Sequence, residues 1–517
     1  MNTAQVDLTP EELHDPALLR RAAARQLAVA ERDLPPVRLV RRSIDCRRKP
    51  IYHCTIELAD AAGLFAPEPT LPPMPPLCAD APQVVIVGAG PAGLFAALRA
   101  LELGLRPLIV ERGKPVEQRK YDIARLAREK RVDADSNWCF GEGGAGTYSD
   151  GKLYTRSTKR GDVASVLRCF VAHGADPSIM LDAHAHIGTD RLSGIIAAMR
   201  RTIESHGGSY RFGCRVSDIV IHQGRAVGVR CADGQEFTGC AVVLATGHSA
   251  RDIYSLFHRH GWLLEAKPFA LGVRIEHPQA LIDSIQYHGP DHSPLLPPAA
   301  YSLTTQAYGH GVFSFCMCPG GVIVPAATAD GQQVVNGMSN SHRNSPFANS
   351  GLAVTVSPAD IGEADPLGLL RFQEAVERQM FHAAGDAINA PSQRVTDFLR
   401  SRLSPTLPRS GYLGQTLSAP LHELLPPFVA QALAQALRDF DRKMHGFVSS
   451  DALLLAVESR TSSPVRIPRD RATLQHPQLP GLYPCGEGAG YAGGIVSSAI
   501  DGIACLESLA ASLGLPR

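Results

Sequence analysis

The chain carries almost no net charge. Its 51 Lys and Arg stand against 50 Asp and Glu, a sum of +1 over 517 residues. No global field therefore draws it to nucleic acid or to an anionic membrane. Its apolar stretches read as strand-sized, and none approaches the ~20 residues expected of a membrane-spanning helix. The first fifteen residues, MNTAQVDLTPEELHD, are polar and acidic, unlike a secretory signal. The 12 cysteines contain no CxxC pair and no His at zinc spacing, so no metal site is expected. They read as reduced thiols filling apolar positions in a cytoplasmic protein. No nucleophile-elbow sequence marks hydrolase chemistry.

What is present is a nucleotide-binding unit. Residues 84–111 read VVIVGAGPAGLFAALRALELGLRPLIVE. Four apolar residues at 84–87 suit a strand buried on both faces. Gly88-Ala89-Gly90-Pro91-Ala92-Gly93 follows, then a helical pattern to Leu103, a stop at Gly104 and a second apolar run at 107–110. Gly88 allows the tight turn, Gly90 lets backbone approach a pyrophosphate, and Gly93 lets helix and strand pack closely. The helix start favours the diphosphate through its free N–H groups and dipole. Glu111, 23 positions after Gly88, falls where an acidic residue takes adenosine ribose hydroxyls. Beside it, Arg112 and then Arg119 and Lys120, on a charged helix near 116–131, are candidate partners of a cofactor diphosphate.

At this length two or three domains are expected. Residues 1–66 read as a small α+β module with a helix at 9–31 and strands at 37–44 and 51–58. Arg41, Arg42, Arg47, Arg48 and Lys49 lie on and after the first of these strands. They are either an RNA- or anion-binding face or a solvated hairpin end. Residues 67–82 are a Pro-rich linker. Residues 83–266 form the first part of the nucleotide-binding domain. It includes NWCFGEGGAGTYSDGKLYTR (137–156), with five glycines from Gly141 to Gly151 that suit close backbone approach to a ligand; Gly144, Gly146 and Thr147 are its candidate contacts. A helical stretch at 161–206 and a meander of short strands lead to Ala245-Thr246-Gly247, a second place for backbone to meet the nucleotide. Residues 267–445 lose the βα rhythm and read as an inserted α+β region on the substrate side. Residues 446–517 resume the first fold with a strand at 482–485, a turn from Gly486 and Glu487 to Gly494, and a helix from Ile495.

Together these segments resemble the two-dinucleotide-binding-domain, glutathione-reductase-like flavoproteins. More narrowly they resemble bacterial FAD-dependent dehydrogenases of poorly defined substrate, related to the aminoacetone-oxidase-like flavoproteins with an inserted domain. The likeness is carried by VRLVRRSIDCRRKP, VVIVGAGPAG, FGEGGAGTYSDGKL, SFCMCPGG, NGMSNSHRN, APSQRVTDFL, FDRKMHGF, ESRTSSPVRI and YPCGEGAGYAGGIVSSAIDGI. The resemblance implies a discontinuous Rossmann-like FAD-binding domain, an inserted α+β domain and a ferredoxin-like N-terminal module. It also implies that Gly88, Gly90 and Gly93 hold the FAD diphosphate, Glu111 the ribose and the Val216 backbone the adenine. Thr246 and Gly247 form a second FAD motif. Gly494 and Ile495 lie by the flavin pyrimidine, and Glu487 stands near the ribityl–diphosphate, where these flavoproteins usually carry Asp.

No second GxGxxG follows a strand, so NAD(P)H would dock transiently or the substrate itself would supply electrons. Cys316 and Cys318, at i and i+2 of an expected strand, share a face and suggest a dithiol. Small core thiols are the competing reading, since strand geometry strains such a bridge. Lys152, His342, Arg343 and Arg460 are candidates for an anionic substrate or a reduced flavin, against a structural role, which is the commoner use of each alone. No catalytic residue is assigned. The reading is an FAD-dependent oxidoreductase acting on a small molecule. The alternatives are an RNA-modifying flavoprotein and a sensor with structural FAD.

Overall fold

The computed structural model describes residues 3–68, 70–154 and 161–515, so the last two residues of the 137–156 loop lie outside the described ones. The apolar run after the Pro-rich segment becomes the strand Gln83–Val87, the middle of a five-stranded sheet. Its order is Leu482–Pro484, Val242–Leu244, Gln83–Val87, Arg106–Val110, Ser209–Arg211. Every neighbouring pair is parallel. Helices cover such a sheet on both faces, which is why Val84, Val85 and Ile86 are fully buried without alternation. One edge strand comes from the last forty residues, so this unit is discontinuous in sequence. A meander of Val216–His222, Arg225–Cys231 and Glu236–Thr238 forms a separate antiparallel sheet.

Two helices pack together on one side, Pro91–Glu102 and Ile495–Ser512. A Cβ on Gly502 would lie 2.2 Å from the Ala92 carbonyl oxygen, so the backbones cross almost in contact. Contrary to the expectation of strand-sized apolar stretches, Ile495–Ser512 is long and apolar enough to cross a bilayer by length and composition. Here most of it is buried, with Val496, Ala499 and Leu506 in the core around the first glycine loop.

The inserted region builds a seven-stranded sheet. Its order is Thr304–Ala307, His310–Cys318, Phe347–Val356, Phe269–Pro278, Leu453–Glu458, Asn389–Arg394, Gln415–Ser418. Only the last pair is parallel. Leu453–Glu458, buried throughout, pairs with Phe269–Pro278 on one side and Asn389–Arg394 on the other. The expected boundary at 445 therefore falls inside this sheet, because hydrogen-bond partners and not chain order place a strand. The helices Gly368–Ala383 and Pro427–Lys443 pack on it.

The N-terminal strands Thr3–Leu8, Val37–Asp45 and Ile51–Leu58 form an antiparallel sheet with Ile51–Leu58 in the middle. This is the order of the first three strands of a ferredoxin-like plait. Thr9 and Asp15 cap the two helices between the first two strands. The module docks through Arg42: its N–H donates to the Leu181 carbonyl at 2.8 Å, and its guanidinium pairs with Asp182 at 2.6 Å. Arg47 pairs with Asp45. Of the basic cluster, Arg41, Arg47, Arg48 and Lys49 are exposed.

Candidate functional site: a groove of bare backbone

Four glycine-bearing segments, far apart in sequence, converge at the carboxyl ends of the parallel strands. Gly88, with φ of +105°, turns so tightly that a Cβ would lie 2.4 Å from the Ala245 carbonyl oxygen. A Cβ on Gly93 would lie 1.9 Å from the Gly88 carbonyl oxygen, so helix Pro91–Glu102 seats directly on the turn. Gly144 lies against Gly90, Gly146 against Ile495, and Gly488 against Gly247. The short 3-10 turn Gly144–Tyr148 thus bridges the starts of both helices. Gly143 N–H adds a bond to the Ala89 carbonyl at 2.8 Å.

The helices Pro91–Glu102 and Ile495–Ser512 begin at Gly90 and Gly494, and neither has a side-chain cap. Their first N–H groups are left to a ligand or water, which favours an anion. A Cβ on Gly247, Gly493 or Gly494 would meet nothing within 4 Å, and on Gly90 only the Gly144 Cα at 3.9 Å. These segments therefore present uncovered backbone to one groove, and the residues present fit an extended dinucleotide diphosphate.

The charged residues assigned to the cofactor are used differently. Glu111 is buried, and its carboxylate accepts from Ala89 N–H at 2.9 Å, Gly113 N–H at 2.8 Å and Gly141 N–H at 3.0 Å. Three of about four acceptor positions are filled, leaving one for a ribose hydroxyl. Arg119 is corrected outright. It is fully buried, and its guanidinium donates to the carbonyls of Asn137, Trp138, Glu142 and Gly144 at 2.8 to 2.9 Å. No donor faces a diphosphate; the residue shapes the 137–144 loop from inside. Arg112 likewise pairs with Asp135 at 2.9 Å and Asp252 at 3.1 Å and stacks on Phe140. Thr147 is buried with its hydroxyl on the Glu142 carbonyl, so its side chain turns away from the groove. Val216 is buried at the start of its strand, opposite Cys231. The nearby Cys214 N–H bonds the Glu111 carbonyl at 3.0 Å.

Beyond the groove the inserted region supplies polar side chains. Arg460, offered for an anionic substrate, instead pairs with Glu377 at 3.3 Å and donates to Ser249 at 3.1 Å, Thr328 and Gln332. Arg251 also pairs with Glu377, at 2.8 Å. Burial pushes the Glu377 carboxyl up, but Arg460 and Arg251 outweigh it and hold it down at about 2. The network fastens the segment after Gly247 to the helix Gly368–Ala383. Arg343 is spent on Asp150 at 2.7 Å, and His342 is exposed. Tyr254 donates to the Gly488 carbonyl at 2.7 Å and contacts Ser463 at 2.9 Å, steadying the last turn.

Two residues missed from the sequence flank Glu487. His248 Nδ1 lies 3.7 Å from its carboxylate, and Lys267 supplies the opposing charge. Burial pushes the Glu487 carboxyl up to about 7, against Lys267. Burial, then Arg460 and Arg251, pull the His248 imidazole down to about 3, so it is neutral at physiological pH. Adjacency to Gly247 was the one local signal for His248; Lys267 had none.

The family models that match this chain agree with this geometry. A family model described as FAD-dependent protein, C-terminal domain-like, matches residues 268–461. An FAD binding domain matches 83–120, a flavin containing amine oxidoreductase model 132–264, and a domain of unknown function 1–58. Among solved structures, tetracycline destructase Tet(51) is 10% identical, with 84% of this chain and 82% of that one covered and a TM-score of 0.33. The glycerol-3-phosphate dehydrogenase from Bacillus halodurans complexed with FAD is 11% identical, covering 85% and 66% at a TM-score of 0.35. An uncharacterised protein of Clostridium beijerinckii is 42% identical over 437 residues, 84% of this chain and 81% of the relative. The chain belongs to one family with its clostridial relative; its matched domains are those of FAD-dependent oxidoreductases, and FAD is its cofactor.

Proposed function

We propose that the protein is a dehydrogenase of the glutathione-reductase-like kind, one of the bacterial FAD-dependent dehydrogenases related to the aminoacetone-oxidase-like flavoproteins with an inserted domain. It would act in the cytoplasm on a small molecule. Bound FAD would supply a two-electron acceptor and donor at flavin N5. NAD(P)H, docking transiently, or the substrate itself would be the donor. The observation that carries this reading is the convergence of Gly90, Gly144, Gly247 and Gly494 on one groove, beside which the seven-stranded sheet contributes polar side chains.

On this reading the chain's own residues divide the work. The uncapped helix starts at Gly90 and Gly494 bind negative charge. Glu487, with its carboxyl near 7, holds or releases a proton at neutral pH. The Arg460–Glu377–Arg251 network keeps the segment after Gly247 in register. The purified protein should be yellow, and anaerobic titration with NADH and NADPH should bleach it with one of them. A flavin that neither nucleotide reduces would leave the substrate as donor. A colourless protein from riboflavin-replete cells would refute the reading.

A further inference from the structure

The strand His310–Cys318 breaks its own regularity where its two cysteines lie. Phe315 pairs with Gly351, and the next pair is Cys318 with Asn349. Three steps on one strand thus oppose two on the other, a bulge at Cys316 and Met317. Cys316 takes φ of +48°, a left-handed conformation that is unfavourable for a residue with a side chain. A bulge re-aims side chains, so the alternation of a straight strand no longer decides where these sulfurs point. The observed contact decides it: the Cys318 thiol turns back toward Cys316 and donates to its carbonyl at 3.3 Å.

Charged groups from outside the strand gather on the same spot. Lys152 Nζ lies 3.8 Å from Cys316 Sγ and donates to the Met317 carbonyl. Arg274 donates to the Cys316 carbonyl at 2.6 Å. Asp150 stands 3.9 Å from Lys152, already paired with Arg343. Lys152 follows the Gly144–Tyr148 turn by four residues, so it brings the groove's own loop to the sulfur. From the other side, negative charge on Cys316 is felt at Glu487. Cys316 is half-buried and Cys318 wholly buried. The Cys318 hydrogen bond first, then Lys152 and Arg274 against burial, hold the Cys316 thiol well below the ordinary cysteine value.

We propose that Cys316 and Cys318 form a redox-active thiol pair exchanging two electrons with the FAD of the same chain, Lys152 holding Cys316 as the thiolate. In the oxidising direction the thiolate and the thiol join in a disulfide, the Cys318 S–H bond breaks, and two electrons and one proton pass to FAD, leaving its reduced anion. The charges balance without any further reactant. The uncapped start of Ile495–Ser512 favours the negative charge so formed. This pair rests on FAD lying in the groove described above.

The test is an anaerobic dithionite titration of the holoprotein, joined to counting of alkylated thiols by mass after unfolding. The oxidised wild type should take four electrons per FAD, and Cys316→Ser, a near-isosteric change, two. The oxidised wild type should also show two fewer alkylated thiols than the reduced protein, with a 2 Da loss in the peptide holding both cysteines. Lys152→Gln should move the pH at which iodoacetamide labelling of Cys316 is half-maximal upward by about one unit, a tenfold change in its acid dissociation. Two-electron uptake by the wild type with every thiol alkylated overturns the pair and leaves the flavoprotein reading standing. A colourless protein that still loses two thiols on oxidation overturns the flavin reading, and with it the exchange, but keeps the disulfide.

Discussion

Gly88 and Ala245 meet with no room for a side chain between them: a Cβ on the glycine would stand 2.4 Å from the alanine carbonyl oxygen. One residue belongs to the first strand–turn–helix and the other to the end of the neighbouring strand, 157 positions on. Their contact brings the phosphate-binding turn and the 245–247 segment to the same groove, and the predictions below follow from how that junction is built.

Glycines inside the groove and glycines beneath it should fail differently. Gly90→Val puts its side chain into open space, with only Gly144 Cα near, so the protein should fold but lose FAD. Gly93→Val drives a side chain into the Gly88 carbonyl oxygen and should prevent folding of this unit. Visible absorbance beside far-ultraviolet circular dichroism separates the two outcomes. A yellow Gly90→Val protein would mean that the cofactor lies elsewhere.

Arg119→Met should cost stability as well as cofactor. It strips the carbonyls of Asn137, Trp138, Glu142 and Gly144 of their donor inside the protein. At about 1–3 kcal/mol for each unsatisfied group, a loss of at least about 4 kcal/mol is expected in urea unfolding. Arg119→Lys should recover only part, since an ammonium cannot reproduce the planar fork.

Tyr254→Phe removes the hydroxyl that holds the Gly488 carbonyl and Ser463. Stability should fall by about 1 kcal/mol. FAD release, followed by flavin fluorescence, should become severalfold faster because the last glycine turn is no longer tied.

Glu276 gives a pH dependence of defined sign. Burial pushes its carboxyl up to about 7, against hydrogen bonds from Ser410 and Gly411, while the unfolded chain titrates near 4.5. The folded state binds this proton more tightly, so its contribution is full below about pH 4.5 and is lost as pH rises through 7. The loss is on the order of 3 kcal/mol. Glu276→Gln keeps the acceptor for Gly411 N–H and cannot titrate. Its melting temperature should fall less between pH 5 and pH 8 than that of the wild type.

The first nucleotide-binding unit was legible because its signals are local. Gly88, Gly90 and Gly93 each meet a backbone requirement set within a few residues, and Leu94 to Leu103 repeats at helical spacing. The charged residues were not legible. Arg119 was assigned to a diphosphate and turned out to bond carbonyls 18 to 25 positions away, a choice nothing in its own helix signals. Arg460 and Arg343 were likewise matched to a substrate, and carboxylates from other elements took them. The sheet boundary near 445 was missed because Leu453–Glu458 reads the same whichever sheet it joins.

By themselves, then, the residues determined that this protein has a strand–glycine–helix unit, where its turns fall and which runs are buried. Glycine conformation and apolar periodicity act over a few bonds and need no knowledge of the rest of the chain. Only the tertiary structure decided which cations are spent on carbonyls and carboxylates, that a bulge sets Cys316 against Lys152, and that four remote glycine segments share one groove. Those outcomes depend on distances between atoms far apart along the chain, and packing alone sets such distances.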